Sequence, residues 1–225
     1  MGSSDEVTKE WHTDALPAET KRALDFLSRA EWLRQSSWYL AGGTALALHV
    51  GHRESLDLDF FTQDKSVEVS LISGHFSNDV WQTEILREGT LYGKFLGAKI
   101  SFILYPFFHR RSAPREYGAI RVLAPSDVAV MKIIAISQRG KKRDFVDLYW
   151  YALHQEPILD VIRRLPDQYP TVAHDFHHIL KSMMYFADAE ADPMPTLFFK
   201  ADWKTIKAYF QKVVPEITKE LLRLK

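Results

Sequence analysis

Two aspartates separated by one residue, Asp57-Leu58-Asp59, are the side chains here best suited to chemistry. They stand in an alternating segment, Leu56 to Phe61, of sequence LDLDFF. Residues i and i+2 of a strand share a face, so the alternation predicts a strand with both carboxylates on one side and Leu or Phe on the other. Carboxylates this close repel unless a cation lies between them. Hard oxygen donors beside phosphate oxygens are the usual magnesium arrangement. A plain solvated strand would show the same alternation; the segment ahead of it argues for more. Trp38 to Ala41 reads as a short buried strand, Gly42-Gly43 as a tight turn, and Thr44 to Val50 as a short apolar helix. The free N–H groups and dipole of that helix start at Thr44 suit a phosphate.

The elements around this segment follow from periodicity and punctuation. The first dozen residues read as a loose tail, and Pro17 opens a helical stretch with Leu24, Phe26, Leu27, Ala30 and Leu33 at roughly helical spacing. Residues 66–76 are ambiguous, and Trp81 to Leu86 fits a strand. Tyr92 to Leu96 and Lys99 to Tyr105 form an expected hairpin across Gly97-Ala98, ending at Pro106. Ile120 to Leu123 is a further strand. Val128 to Ser137 is a strong helix, Gly140 interrupts, and Lys141 to Leu153 is a second helix. After Pro157 only helical patterns remain, at 157–165, 171–186, 202–212 and 214–224, with a loop from Asp188 to Pro195. The expected fold class is α+β. A core spans 15–125, and a helical region spans 126–225, whose first two helices complete the active site.

Composition narrows the function classes. The chain has 225 residues, with 29 Lys plus Arg balanced by 29 Asp plus Glu. Zero net charge excludes a blanket of positive charge, though not a local nucleic-acid patch. Cysteine is absent, which excludes disulfides, thiolate catalysis and Cys-based zinc sites. Met1 to Glu10 is polar and does not read as a secretory signal, and no run approaches the ~18 apolar residues of a membrane helix. The expectation is a cytoplasmic protein, monomeric or weakly associating, with no membrane partner.

The combination of strand, Gly-Gly-Thr, helix and D-h-D-h strand resembles the DNA polymerase beta-like nucleotidyltransferases. Within them, GGTALALHVGHRESLDLDFF resembles the opening motif of the AbiEii-type abortive-infection toxins. KISFILYPF (Lys99 to Phe107) and LAPSDVAVMKIIAISQRGKKRDFVDLYW (Leu123 to Trp150) resemble that family's later strand and helix pair. The resemblance covers about residues 20–155. It implies a polymerase beta-like core and a magnesium-dependent transfer of NMP from an NTP to an acceptor hydroxyl, most readily an RNA (tRNA) 3′ end. It also implies an antitoxin protein encoded nearby. Carried over by position, Gly42, Gly43 and Thr44 would contact phosphates, Asp57 and Asp59 would bind metal, and Lys132 would neutralise triphosphate charge. Asp144 would be a further functional carboxylate, with Asp147 beside it.

Several residues sharpen or qualify that reading. Many polymerase-like transferases carry a third carboxylate where this chain has Ser101, which leaves three options: Asp144 substitutes, one metal suffices, or catalysis is weak. Arg53 would orient a carboxylate or reach a phosphate. Ser55 shares a face with Asp57, and a phosphate there would add about two negative charges beside the metal, so its modification would silence the enzyme. His49 reads as a packed histidine and His52 as lying near the site. His174, His177 and His178 have no acidic partner at metal spacing beyond Asp175, so they do not read as a zinc site. Arg139, Lys141, Lys142 and Arg143, with His109, Arg110, Arg111 and Arg115 on a loop after Pro106, form the candidate RNA surface. The alternatives are a protein acceptor and a nucleotide- or RNA-binding module without turnover. An aminoglycoside-type resistance transferase would need an acidic antibiotic pocket that the sequence does not show.

Overall fold

The structure, a computed structural model, describes residues 10–222. The proposed tail and Met1 to Glu10 therefore lie largely outside the described residues. What is described of them is packed: Trp11 sits 4.9 Å from His49 and 5.8 Å from Tyr117. The His12 N–H donates to Leu48 O at 3.0 Å, and a 3₁₀ turn follows at Thr13–Ala15.

The helix opened by Pro17 is two helices, α1 (Ala18–Leu27) and α2 (Glu31–Gln35), because the Arg29 and Ala30 N–H groups close α1 with tighter i→i−3 bonds to Phe26 O and Leu27 O. Strand β1 (Tyr39–Ala41), helix α3 (Gly42–Val50) and strand β2 (Leu58–Thr62) follow as the sequence implies. The ambiguous stretch holds a 3₁₀ helix, Val69–His75. Strands β3 (Trp81–Arg87), β4 (Thr90–Phe95) and β5 (Ala98–Leu104) form a meander. The β4–β5 turn lies at Leu96-Gly97, one residue earlier than expected, with both φ angles positive (51° and 88°), as a two-residue hairpin turn requires. A strand the sequence did not signal, β6 (Arg115–Tyr117), pairs with β7 (Ile120–Val122).

The seven strands form one mixed sheet in the order β3-β4-β5-β2-β1-β7-β6. Its period-two alternation decides which residues see the core. Leu40, Leu58, Phe60, Phe102 and Val122 are fully buried on one face. There Phe60 stacks on Phe102 at 5.0 Å, and Trp38 and Trp32 pack against the same ring. The opposite face carries Asp59, Phe61, Ser101 and Ile103 and is roofed by α3, α4 (Pro125–Arg139) and α5 (Lys142–His154).

The remaining helices are α6 (Ile158–Arg163), α7 (Leu165–Gln168), α8 (Phe176–Ser182), α9 (Ala187–Glu190) and α10 (Trp203–Leu222). The pattern at 171–186 yields only α8, because the Asp175 side chain accepts the His178 N–H at 3.0 Å and starts the helix there. The two terminal helices are one, α10. Pro215 inside it is exposed, and buried Ile206, Phe210, Val214 and Ile217 keep one apolar stripe running past it. That stripe packs on α5 through Phe145–Phe210 and Tyr149–Tyr209, both at 5.2 Å. No described helix is long and apolar enough to cross a membrane.

Candidate active site

Gly42 has φ +69°, and a side chain there would begin 3.2 Å from Asp59 Oδ2. That left-handed backbone favours glycine, and its bareness lets the start of α3 lie against the carboxylate. No side chain caps this helix start. The Thr44 hydroxyl bonds to Asp57 O and pairs with Ser55 Oγ at 2.8 Å, which ties the helix start to the approach of β2. Ser55 is buried, so a phosphate on it would have to displace Thr44.

Asp57 sits just before β2 and Asp59 within it. Both face a cavity of about 390 Å³ together with Gly42, Gly43, Thr44, Arg53, Ser55 and Lys132. Eight predicted site residues thus line one space. Asp59 lies beside Ser101 in the parallel β2–β5 register, and Ser101 Oγ donates to Asp59 Oδ1 at 2.6 Å. Burial and the charge of Asp57 raise the Asp59 pKa, against the lowering effect of that bond. Asp57 Oδ2 accepts from Arg143 at 2.9 Å across the mouth.

Beneath the cavity lies a buried ionic network. Asp147, fully buried, accepts from Arg53 Nε (2.6 Å), Arg53 Nη2 (3.0 Å) and His52 Nε2 (2.8 Å), and pairs with Lys132 Nζ (2.6 Å). Asp144, equally buried, accepts from Lys132 Nζ (2.7 Å) and Arg139 Nε (3.0 Å). Burial alone would raise both acids. Arg53, Lys132 and His52 outweigh it and hold Asp147 well below the usual carboxylate range, while Lys132 and Arg139 lower Asp144. Burial pushes the His52 imidazole down. Asp144 is not among the cavity-lining residues; it grips two that are, Lys132 and Arg139. His49 is packed, with Nε2 3.1 Å from Leu123 O.

The loop that carries His52 and Arg53 is itself held by the chain between α9 and α10. Arg53 bridges Leu197, the Glu54 N–H donates to Thr196 O, and the Phe198 N–H donates to His52 O, both at 2.9 Å. Phe198→Pro removes that last donor and is expected to lower stability by about 1–2 kcal/mol. Phe198→Ala, whose side chain is largely exposed, is expected to be near neutral. Urea unfolding of the two variants checks this; equal losses would show that the backbone bond contributes nothing.

The proposed RNA surface is only partly exposed. Lys142 is buried, with Nζ bonded to Asp192 O and Glu190 O, and Lys141 pairs with Asp192 at 3.3 Å. Arg115 lies on β6 rather than a loop, its guanidinium 4.1 Å over the Trp11 ring. Arg139 and Arg143 remain at the cavity mouth, and His109, Arg110 and Arg111 are exposed. His174 Nε2 lies 3.1 Å from Tyr169 O and His178 Nε2 3.0 Å from Ser137 O.

The sequence reading missed the apolar part of the cavity lining. Phe61, Tyr92, Ile103, Tyr105, Met131 and Ile134 give the cavity an apolar, aromatic lining, with Tyr92 beside Ser101 in the sheet, and Lys99 adds a charge. Alternation could have found Phe61, Lys99, Ile103 and Tyr105, since 57, 59 and 61 and 99, 101, 103 and 105 continue the faces of Asp59 and Ser101.

The profile of the family described as nucleotidyl transferase AbiEii toxin, type IV TA system, matches residues 25–83 and 100–221. The protein aq_aa25 of Aquifex aeolicus is 32% identical over 189 residues, covering 80% of this chain and 88% of its own. The fold is shared with a candidate nucleotidyltransferase of Helicobacter pylori, at TM-score 0.53 and 18% identity over 93% of this chain and 99% of that one. It is shared too with JHP933 of the same organism, at TM-score 0.51 and 20% identity over 90% and 92%.

Proposed function

The chain belongs to the AbiEii nucleotidyl transferase toxin family and is a nucleotidyltransferase; from that premise we propose that it moves NMP from an NTP to an RNA 3′ hydroxyl, tRNA foremost. One observation carries the reading: the uncapped start of α3 and the Asp57–Asp59 pair open onto the same cavity. Amides of Gly42 to Thr44 receive the outer phosphates, and Lys132 and Arg53, held by Asp144 and Asp147, face them from the cavity floor. The aromatic side chains of the lining, Phe61, Tyr92 and Tyr105, take the nucleobase.

Asp57 and Asp59 fit magnesium as hard oxygen donors: Ser101 bonds Asp59 Oδ1, Oδ2 points toward the glycine turn, and Asp57 is half-exposed. When bound, such an ion neutralises phosphate charge. The acceptor oxygen bonds to the α-phosphorus as the bond to pyrophosphate breaks, and the hydroxyl proton passes to solvent at the open mouth. Positioning and fixed charge from this chain supply most of the acceleration. Arg139, Arg143 and the His109 to Arg111 loop meet the RNA backbone. An antitoxin partner and a cytoplasmic site of action accord with the family.

The test incubates the protein with magnesium, each labelled NTP in turn, and total tRNA. Label is expected in RNA with the wild type and not with Asp57→Ala, and the four NTPs report the choice of base. Label in protein instead would favour the protein-acceptor reading, and none in any acceptor would refute transfer.

A further inference from the structure

The charge on the cavity wall is unbalanced. Asp57 and Asp59 are its only carboxylates among the described residues, and they face five cationic side chains. Four of the five are committed: Arg53 and Lys132 to Asp147, Arg139 to Asp144, and Arg143 to Asp57. Lys99 makes no salt bridge or hydrogen bond to a side chain among the described residues. The field of Lys99 reaches Glu84, but that carboxylate is already paired with Lys94 at 2.8 Å.

The position of Lys99 follows from the sheet. Asp59 lies beside Ser101 in the parallel β2–β5 register, so two places back on the same face Lys99 falls beside Asp57. Where a site holds two metal ions, each needs hard oxygen donors, and the ions together clamp the attacking and leaving oxygens. Beside Asp57 and Asp59 the sheet offers the Ser101 hydroxyl, already spent on Asp59, and the Lys99 ammonium; the other side-chain oxygens of the lining are the neutral ones of Thr44, Ser55, Tyr92, Tyr105 and Gln138. Counted against Asp57, Asp59, Asp144 and Asp147, the five cations leave one positive charge over, and two divalent ions there would add four more.

We propose that Lys99 is the second cation of the reaction: its ammonium lies against the α-phosphate, and the enzyme works with a single divalent ion held by Asp57 and Asp59. This deepens the function proposed above and rests on it. Lys99 neutralises charge on the non-bridging oxygens of the α-phosphate as the acceptor oxygen bonds and pyrophosphate leaves. It stays protonated throughout, and the hydroxyl proton goes to solvent.

Two measurements test it together. Mn²⁺ binding is counted by electron paramagnetic resonance with each of the four α,β-methylene NTP analogues, for wild type and Lys99→Met. Transfer to total tRNA is timed for wild type, Lys99→Met and Lys99→Arg. The expected result is one Mn²⁺ per chain in both proteins. Lys99→Met should lose on the order of 100-fold in kcat, with KM for the NTP nearly unchanged, and Lys99→Arg should recover part of the rate. Lys99 is exposed, so the melting temperature is expected to hold. Two Mn²⁺ in the wild type would overturn the inference and leave nucleotidyl transfer standing. So would one Mn²⁺ with undiminished kcat in Lys99→Met. No bound Mn²⁺ at all would bring down the functional reading itself.

Discussion

Asp147→Ala is expected to lower unfolding free energy by about 3–5 kcal/mol, the cost of breaking a buried ion pair by removing one partner. The substitution strips Arg53 of its carboxylate, leaves Lys132 with Asp144 alone, and leaves the His52 ring without its acceptor. The His52 Nδ1 is already buried without a partner, so both ring nitrogens would then be unpaired. Domains have about 5–15 kcal/mol of stability in all, so the variant would sit near the folding threshold. Asp57→Ala, on the half-exposed wall, is expected within about 0.5 kcal/mol of wild type. Urea denaturation of the pair reads the contrast, and a loss under about 1 kcal/mol for Asp147→Ala would refute the hub role. Acid titration adds a sign. Asp147 is held below the ordinary carboxylate range, so its contribution is fully present above the unfolded value near 3.9. It is lost only as pH falls through the depressed folded value. The wild type should therefore lose stability in strong acid along a limb that the variant lacks.

Gly43→Ala is the smallest change expected to disable the site. The added methyl would overlap Arg53 Nη2, approach Arg53 Cζ at 3.2 Å and reach Asp147 Oδ2 at 3.4 Å. Arg53 cannot swing aside without losing its two bonds to Asp147. Overpacking of this kind costs about 1–3 kcal/mol. Displacing a positioning group by about 1 Å costs on the order of 100-fold in rate. Gly74→Ala, where an added methyl meets nothing within 4 Å, is the matched control and should change neither quantity. Steady-state transfer kinetics with thermal melts decide it; wild-type kcat/KM in Gly43→Ala would show that Arg53 need not stay where it is.

Much of this site was legible because its signals are local. The Gly-Gly-Thr turn, the D-L-D alternation and the matching alternation at Ser101 each depend on neighbours within a few residues. The partners of those residues were not legible, because pairing is long-range. Nothing near Lys132 states that its ammonium faces two carboxylates twelve and fifteen residues on, nor that Lys142 is tied down by the loop after α9. A basic run looks the same in sequence whether it is solvated or clamped. Boundaries failed where side chains overrode propensity: Asp175 started α8 late, and a buried stripe carried α10 through Pro215. Strand β6 is three residues long and has no alternation to betray it.

The bond between Thr196 and the Glu54 loop also sets an order of events. The two residues lie 142 positions apart, and chains are made and fold from the N-terminus. The sheet and the aspartate pair can form once residue 122 has been made, but the loop that aims Arg53 gains its support only when the segment around Thr196 to Phe198 follows. A transferase built this way holds its aspartate pair well before Arg53 is fixed, so a shorter nascent chain carries an incomplete site.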